Sequence, residues 1–198
     1  KKIDIIKKIS LKKDLLVDKK SKKEKKYVTL INCHYNKGGF LLNYLLANLD
    51  NNIPLLLIYT EKDDSTNLEN IKNYVENRNK KNNINIFYTE KQDIKNIYEI
   101  TKIMLIPSLC DETFCRVGYE SRMNNIPILS RSNGNLKYLL KDYAIYLDDN
   151  LNSWKNKIEE MYFNKNIKSL FKNNLKLDDY EKKIENLILD KIKNNEPK

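Results

Sequence analysis

Residues 101–134 read TKIMLIPSLCDETFCRVGYESRMNNIPILSRSNG. Within them 103–107 (IMLIP) is apolar throughout, as expected of a strand covered on both faces. A polar loop follows, then a helix predicted over 113–124, an Asn-Asn turn, and a second short strand over 126–129 (IPIL). Strand, helix and strand joined by short connections form the unit of a parallel sheet. The alternation continues in both directions. Upstream, strands are predicted at 27–32, 54–59 and 84–88, with helices at 38–49, 66–79 (capped by Ser65) and 93–101. Downstream come a helix at 136–141, a strand at 144–147 and helices at 150–163 and 178–192. The fold class expected is α/β, a Rossmann-like doubly wound parallel sheet with helices on both faces, since right-handed crossovers leave few other topologies. Ligands of such sheets bind outside the carboxyl ends of the strands. The loops of interest are therefore 32–38, 60–65, 88–92, 107–113 and 130–136.

The chain has 198 residues, 40% of them hydrophobic, enough for one sizeable core rather than two. It opens on Lys1, so a piece of a longer protein is expected. No apolar run reaches the roughly 18–20 residues that cross a membrane, and no segment reads as a signal peptide, which makes the cytoplasm the expected compartment. Cys33, Cys110 and Cys115, odd in number and irregularly spaced, read as reduced thiols. Cys33 adjoins His34, the sole histidine, but neighbouring ligands without a second pair do not make a metal site, and none is expected. The net charge is +10. Twelve lysines against Asp4, Asp14, Asp18 and Glu24 concentrate a surplus of eight in residues 1–26. Charge gathered at one end marks a solvated linker or tail, so the folded body gives no strong case for nucleic acid. The organisation expected is a basic linker or tail at 1–26, a ligand-binding α/β domain at 27–165 and terminal helices at 166–198.

Three loops hold residues suited to chemistry. In 32–39 (NCHYNKGG) a lysine and two glycines open a helix straight after a strand. Helix N-terminal amides favour anions, and glycine lets a phosphate approach the backbone. Read alone, the same residues make a plain turn with a solvated lysine. In 107–120, Glu112 and Glu120 are eight residues apart, about 12 Å of rise on a continuous helix. That is too far for carboxylates sharing a proton and exceeds the roughly 5–9.5 Å of a glycosidase pair. It suits two hydroxyl-rich groups flanking a diphosphate. Read alone, the loop better fits a favourable first-turn charge at Glu112 and an exposed helix residue at Glu120. In 130–135, Gly134 permits a left-handed turn, which an ordinary connection also uses.

Together these loops resemble the C-terminal half of family 4 glycosyltransferases, which have the GT-B fold. PSLCDETFCRVGYESRMNNIPILSRSNG at 107–134 is similar to the family pattern PS…E-(T/G)-F-G-R-V…E-A…G-I-P-V…S…G-G. YVTLINCHYNKGGFLLNYLLANL at 27–49 resembles its Asn…Lys-Gly segment. The resemblance implies hexosyl transfer from a nucleotide-diphosphate sugar, such as a UDP- or GDP-sugar, with retention of anomeric configuration and with no metal or other cofactor. Lys37 would contact the donor diphosphate, with Asn32 and Gly38 lining the same loop. Glu112, the implied catalytic residue, would meet the transferred sugar. Thr113 and Phe114 would offer backbone amides, with Arg116 beside them, and Glu120 would hold the ribose. Tyr88 and Thr89 would lie beside the base. The implied partner is an N-terminal acceptor-binding domain, to which the helix near 178–192 would cross back. The chain departs from the pattern at Cys115 and Asn133, where glycine is usual, at Lys137, where glutamate is common, and at Ser121 and Asn125, in place of alanine and glycine. Cys115 is expected to hinder close approach of a sugar or phosphate, and Asn125 to cap the helix. A catalytically inactive nucleotide-binding or scaffolding module of the same fold is the rival reading.

Overall fold

The computed structural model describes residues 23–59, 84–88, 93–167 and 171. The helices predicted at 66–79 and 178–192, the loop at 60–65, Thr89 and nearly all of the basic segment lie outside those residues. Among the described residues six strands form one parallel sheet: β1 (Tyr27–Ile31), β2 (Leu55–Tyr59), β3 (Ile84–Tyr88), β4 (Thr101–Ile106), β5 (Ile128–Ser130) and β6 (Ala144–Tyr146). Their order is β3-β2-β1-β4-β5-β6, and every pairing is parallel. The doubly wound α/β fold expected from the sequence is present. Its order reverses between β1 and β4, and such a switch point opens a crevice at the carboxyl ends of the strands.

Helices α1 (Gly39–Asn48), α2 (Ile94–Ile100), α3 (Arg116–Met123), α4 (Leu136–Leu140) and α5 (Leu151–Phe163) cover the sheet. Because strand side chains alternate, Leu55 and Leu57 join the main core with Leu41, Leu42, Leu45 and Leu46 of α1. Leu56 and Ile58 turn the other way, toward Ile97 of α2. In α5, Trp154, Ile158 and Met161 repeat at helical spacing and are buried. The Trp154 indole N–H donates to the Asp148 carbonyl at 2.8 Å. Asn150 caps this helix, its side chain accepting from the amides of Asn152 and Ser153.

Three boundaries differ from the expected ones by two residues or more. Strand β4 begins at Thr101, whose hydroxyl bonds that of Thr29 across the sheet at 2.8 Å. Helix α3 begins at Arg116 rather than at 113, for reasons that lie in the site. Strand β5 begins at Ile128 because the preceding residues close α3. The Ile126 amide donates to the Ser121 carbonyl, the Asn125 amide to that of Arg122, and Asn125 is left-handed with φ 52°. This is a Schellman closure with asparagine at the position glycine usually takes, the capping role expected of Asn125.

Candidate functional site

The crevice between β1 and β4 is made from the loops that follow β1, β4 and β5. After β1 the chain turns at Asn32, left-handed with φ 67°, a conformation asparagine tolerates better than most residues. A short 3-10 turn, Tyr35–Lys37, then leads into α1. Gly38 lies at φ 148°, and a Cβ there would come within 2.8 Å of Leu30 Cδ1 and 2.9 Å of Pro107 Cγ. Glycine is thus demanded by conformation and by packing between the ends of β1 and β4. The amides of Lys37, Gly38 and Gly39 all donate to the His34 carbonyl. The amides of Lys37, Gly38 and Gly39 are therefore already partnered, and the Lys37 side chain is the cation this loop offers to an anion.

Lys37 Nζ lies 2.6 Å from Glu112 Oε1, with the two side chains 33% and 14% exposed. The same carboxylate oxygen accepts from the Ser108 hydroxyl at 2.8 Å. Burial works against the lysine charge, but Glu112 and then Cys110 outweigh it and shift its pKa upward. Ser108 Oγ is also 3.3 Å from Cys110 Sγ. The Ser108 hydroxyl first, and Lys37 after it, hold the Cys110 thiol below its usual range, against the effect of burial. A hydroxyl has one proton, so Ser108 serves either Glu112 or a Cys110 thiolate at a given moment.

Glu112 is not the first residue of a helix. It forms a parallel bridge with Gly134, and its carbonyl accepts from the Asn135 amide at 2.7 Å. Gly134, left-handed as expected at φ 56°, leaves no room for a Cβ, which would meet the Glu112 amide nitrogen at 2.5 Å. Asn135 Nδ2 donates to the Thr113 carbonyl. These contacts keep 112–115 out of the helix, so α3 starts after Cys115, and the 12 Å separation based on a continuous helix does not apply. Asn133, a departure from the family pattern, links the loops: its Nδ2 donates to the carbonyls of Ser108 and Leu109 at 3.1 and 2.9 Å. The Leu109 amide donates to the Asn36 carbonyl at 2.8 Å, which ties in the loop after β1.

Glu120, on α3, accepts from the hydroxyl of the buried Tyr98 at 2.6 Å. Burial first, and the Glu120 charge after it, raise the Tyr98 pKa and keep the phenol protonated. Cys115 is buried in the main core, so the obstruction expected from its side chain is turned away from the surface. Burial pushes its thiol up to about 11, and the charges of Glu112, Lys37 and Glu120 all act on it. Lys37 and Glu112 meet directly, and Glu120 lies on α3, the helix that Cys115 precedes. Thr113, Phe114 and Arg116 are exposed beside them. Tyr88 ends β3 opposite Tyr59; Thr89 is outside the described residues. Cys33 is buried and directed at the Ile58 carbonyl, whereas His34 is exposed. Among the described residues no three His, Cys, Asp or Glu side chains group to hold a metal. None of those helices is long and apolar enough to cross a membrane. Sequence reasoning missed Ser108, which lies in the quoted motif, and Tyr98, which carries no sequence signal apart from its place in a predicted helix.

Comparisons with known proteins point the same way. The family model for glycosyl transferases group 1 matches residues 13–197. A search of curated proteins found no match. Among solved structures, a glycosyltransferase from Rickettsia africae is 18% identical, with a TM-score of 0.65 over 98% of this chain and 53% of its own. Anabaena HepE, in complex with UDP and glucose, is 12% identical, with a TM-score of 0.67 over 93% of this chain and 52% of its own. Sucrose-phosphate synthase from Thermosynechococcus elongatus is 15% identical, with a TM-score of 0.61 over 85% and 46%. The chain thus spans about half the length of these structures.

Proposed function

This chain belongs to the glycosyl transferases of group 1, and from that premise we propose that it is the donor-binding half of a hexosyltransferase of the family 4 type. The observation that carries the reading is the Lys37–Glu112 pair at the β1/β4 switch point, 2.6 Å long and partly buried. In the absence of donor each side chain satisfies the other. An incoming diphosphate competes for Lys37, because two phosphate charges at short range outweigh one carboxylate. The released Glu112 then accepts from hydroxyls of the transferred sugar, steadied by Ser108. Glu120, held by Tyr98, takes the ribose hydroxyls. Asn32 and Gly38 shape the lysine loop, Thr113, Phe114 and Arg116 flank the sugar side, and Tyr88 and Thr89 are assigned to the base.

In this reading Lys37 stabilises the departing nucleotide diphosphate, the task a divalent cation otherwise fills, and the product retains the anomeric configuration. The donor is of the UDP or GDP type; the UDP and glucose held by HepE support a UDP-sugar. The acceptor is held by a separate N-terminal domain, residues 1–26 link to it, 27–165 hold the donor, 166–198 pack back toward the partner domain, and the reaction is cytoplasmic. Calorimetry of the chain with UDP-, GDP- and ADP-sugars tests the reading. Saturable binding of one of them, weakened by Glu120→Gln, is expected. Binding of none would favour the non-catalytic module of the same fold.

A further inference from the structure

Beyond Asn133 the row of loops continues into a cleft of about 380 Å³ between the carboxyl ends of β5 and β6, lined by Arg131, Ser132, Asn133, Asp148, Asp149 and Asn150. Its size lies in the roughly 300–1,000 Å³ range of small-molecule sites. The Arg131 side chain is only 12% exposed, and its Nη2 pairs with an Asp149 carboxylate that is 77% exposed. Nη1 is buried without a hydrogen-bond partner among the described residues. The guanidinium carbon lies 5.9 Å from the centre of the Phe40 ring. A permanent cation set this deep against an aromatic ring calls for a two-point anion, and it has one solvent-facing carboxylate. The second acid is committed elsewhere. Asp148 Oδ1 accepts from the Asn150 amide, and the Asp148 carbonyl takes the Trp154 indole N–H. An ion pair with so exposed a partner contributes about 1 kcal/mol or less, so a ligand anion can displace Asp149.

We propose that Arg131 anchors a second subsite, for a carboxylate or phosphate group of an acceptor whose remainder the N-terminal domain holds, and that Asp149 occupies this subsite until the acceptor arrives. The inference rests on the donor-site reading, because Asn133 both lines the cleft and holds the Ser108–Leu109 carbonyls beside Lys37 and Glu112. A negatively charged acceptor, a sugar acid or a sugar phosphate, is the substrate class it selects.

The test is a titration of the 15N-labelled 198-residue chain, saturated with UDP, against inorganic phosphate, glucuronate and glucose. Phosphate, glucuronate or both are expected to shift the amides of Ser132, Asn133 and Asn150, and which of them does so identifies the anionic group; glucose leaves them in place. Arg131→Gln is expected to abolish the response. Asp149→Asn, which removes the competing carboxylate and leaves the cation, is expected to tighten it about two- to five-fold. An equal response to glucose, an anion response that survives Arg131→Gln, or no tightening in Asp149→Asn would overturn the proposal. The UDP step is read separately. If Asn150 responds to anions while UDP leaves Lys37 and Glu120 unmoved, the subsite stands and the donor assignment fails.

Discussion

The seam between α5 and the sheet and the crevice between β1 and β4 are built on different principles. In the seam, Trp154, Ile158 and Met161 are at most 1% exposed, and the one polar atom of the tryptophan has its partner in Asp148. In the crevice, Lys37, Glu112 and Cys110 gather around the buried Ser108 with partial access to water, and each polar group has a partner that a ligand can replace. Apolar closure has no second partner to exchange with, so cutting it costs stability. A half-buried charge network does, so cutting it costs binding. The difference separates residues that hold the fold from residues available for a ligand.

Trp154→Ala should have the largest effect, a loss of about 3–5 kcal/mol read from the denaturation midpoint. A loss under about 1 kcal/mol would mean that the seam does not hold the sheet. Gly38→Ala sits on the border of the two regions. Its Cβ meets Leu30 and Pro107, and its φ is unsuited to an L-residue, so a loss of about 1–3 kcal/mol is expected. Nucleotide affinity should fall with it, because Lys37 is the preceding residue; unchanged affinity would detach Lys37 from the binding site.

Lys37→Met should leave stability within about 1 kcal/mol and weaken nucleotide-diphosphate binding about ten-fold or more, the worth of a hydrogen bond to a charged group. The raised lysine pKa means that the cation persists as pH rises, so wild-type affinity should stay level through pH 9. A decline below that would assign the contact to another group. The smallest effect is a rate. Cys110, with its lowered pKa, should be alkylated half-maximally at a pH below that of an ordinary thiol, while buried Cys115 stays inert. Nucleotide should slow the reaction at Cys110, and equal rates with and without nucleotide would separate Cys110 from the site.

The sheet was legible because its strands are continuous apolar runs separated by turn residues, and burial on both faces leaves them no other place. The site was legible in its residue types and less so in its geometry. Nothing in DETFC states that Glu112 pairs with Gly134 and Asn135, a helix and a strand further along the chain, yet that contact outcompetes helical propensity and delays α3 to Arg116. Asn133 read as a lost glycine, whereas its amide supplies two hydrogen bonds that glycine lacks. Tyr98 was hidden because an aromatic on a buried helix face looks the same whether its hydroxyl is idle or holds a glutamate. The opening glycines pointed to a phosphate cradle, but the His34 carbonyl fills their amides, a three-way acceptance that local sequence does not announce.

The most direct test of the account is a crystal structure of the chain with a bound nucleotide-diphosphate sugar. The diphosphate should lie within hydrogen-bonding distance of Lys37 Nζ, the Lys37–Glu112 pair should be broken, and Glu112 and Glu120 should accept from sugar and ribose hydroxyls respectively. A nucleotide bound elsewhere, or bound with Lys37 still closed on Glu112, would contradict it.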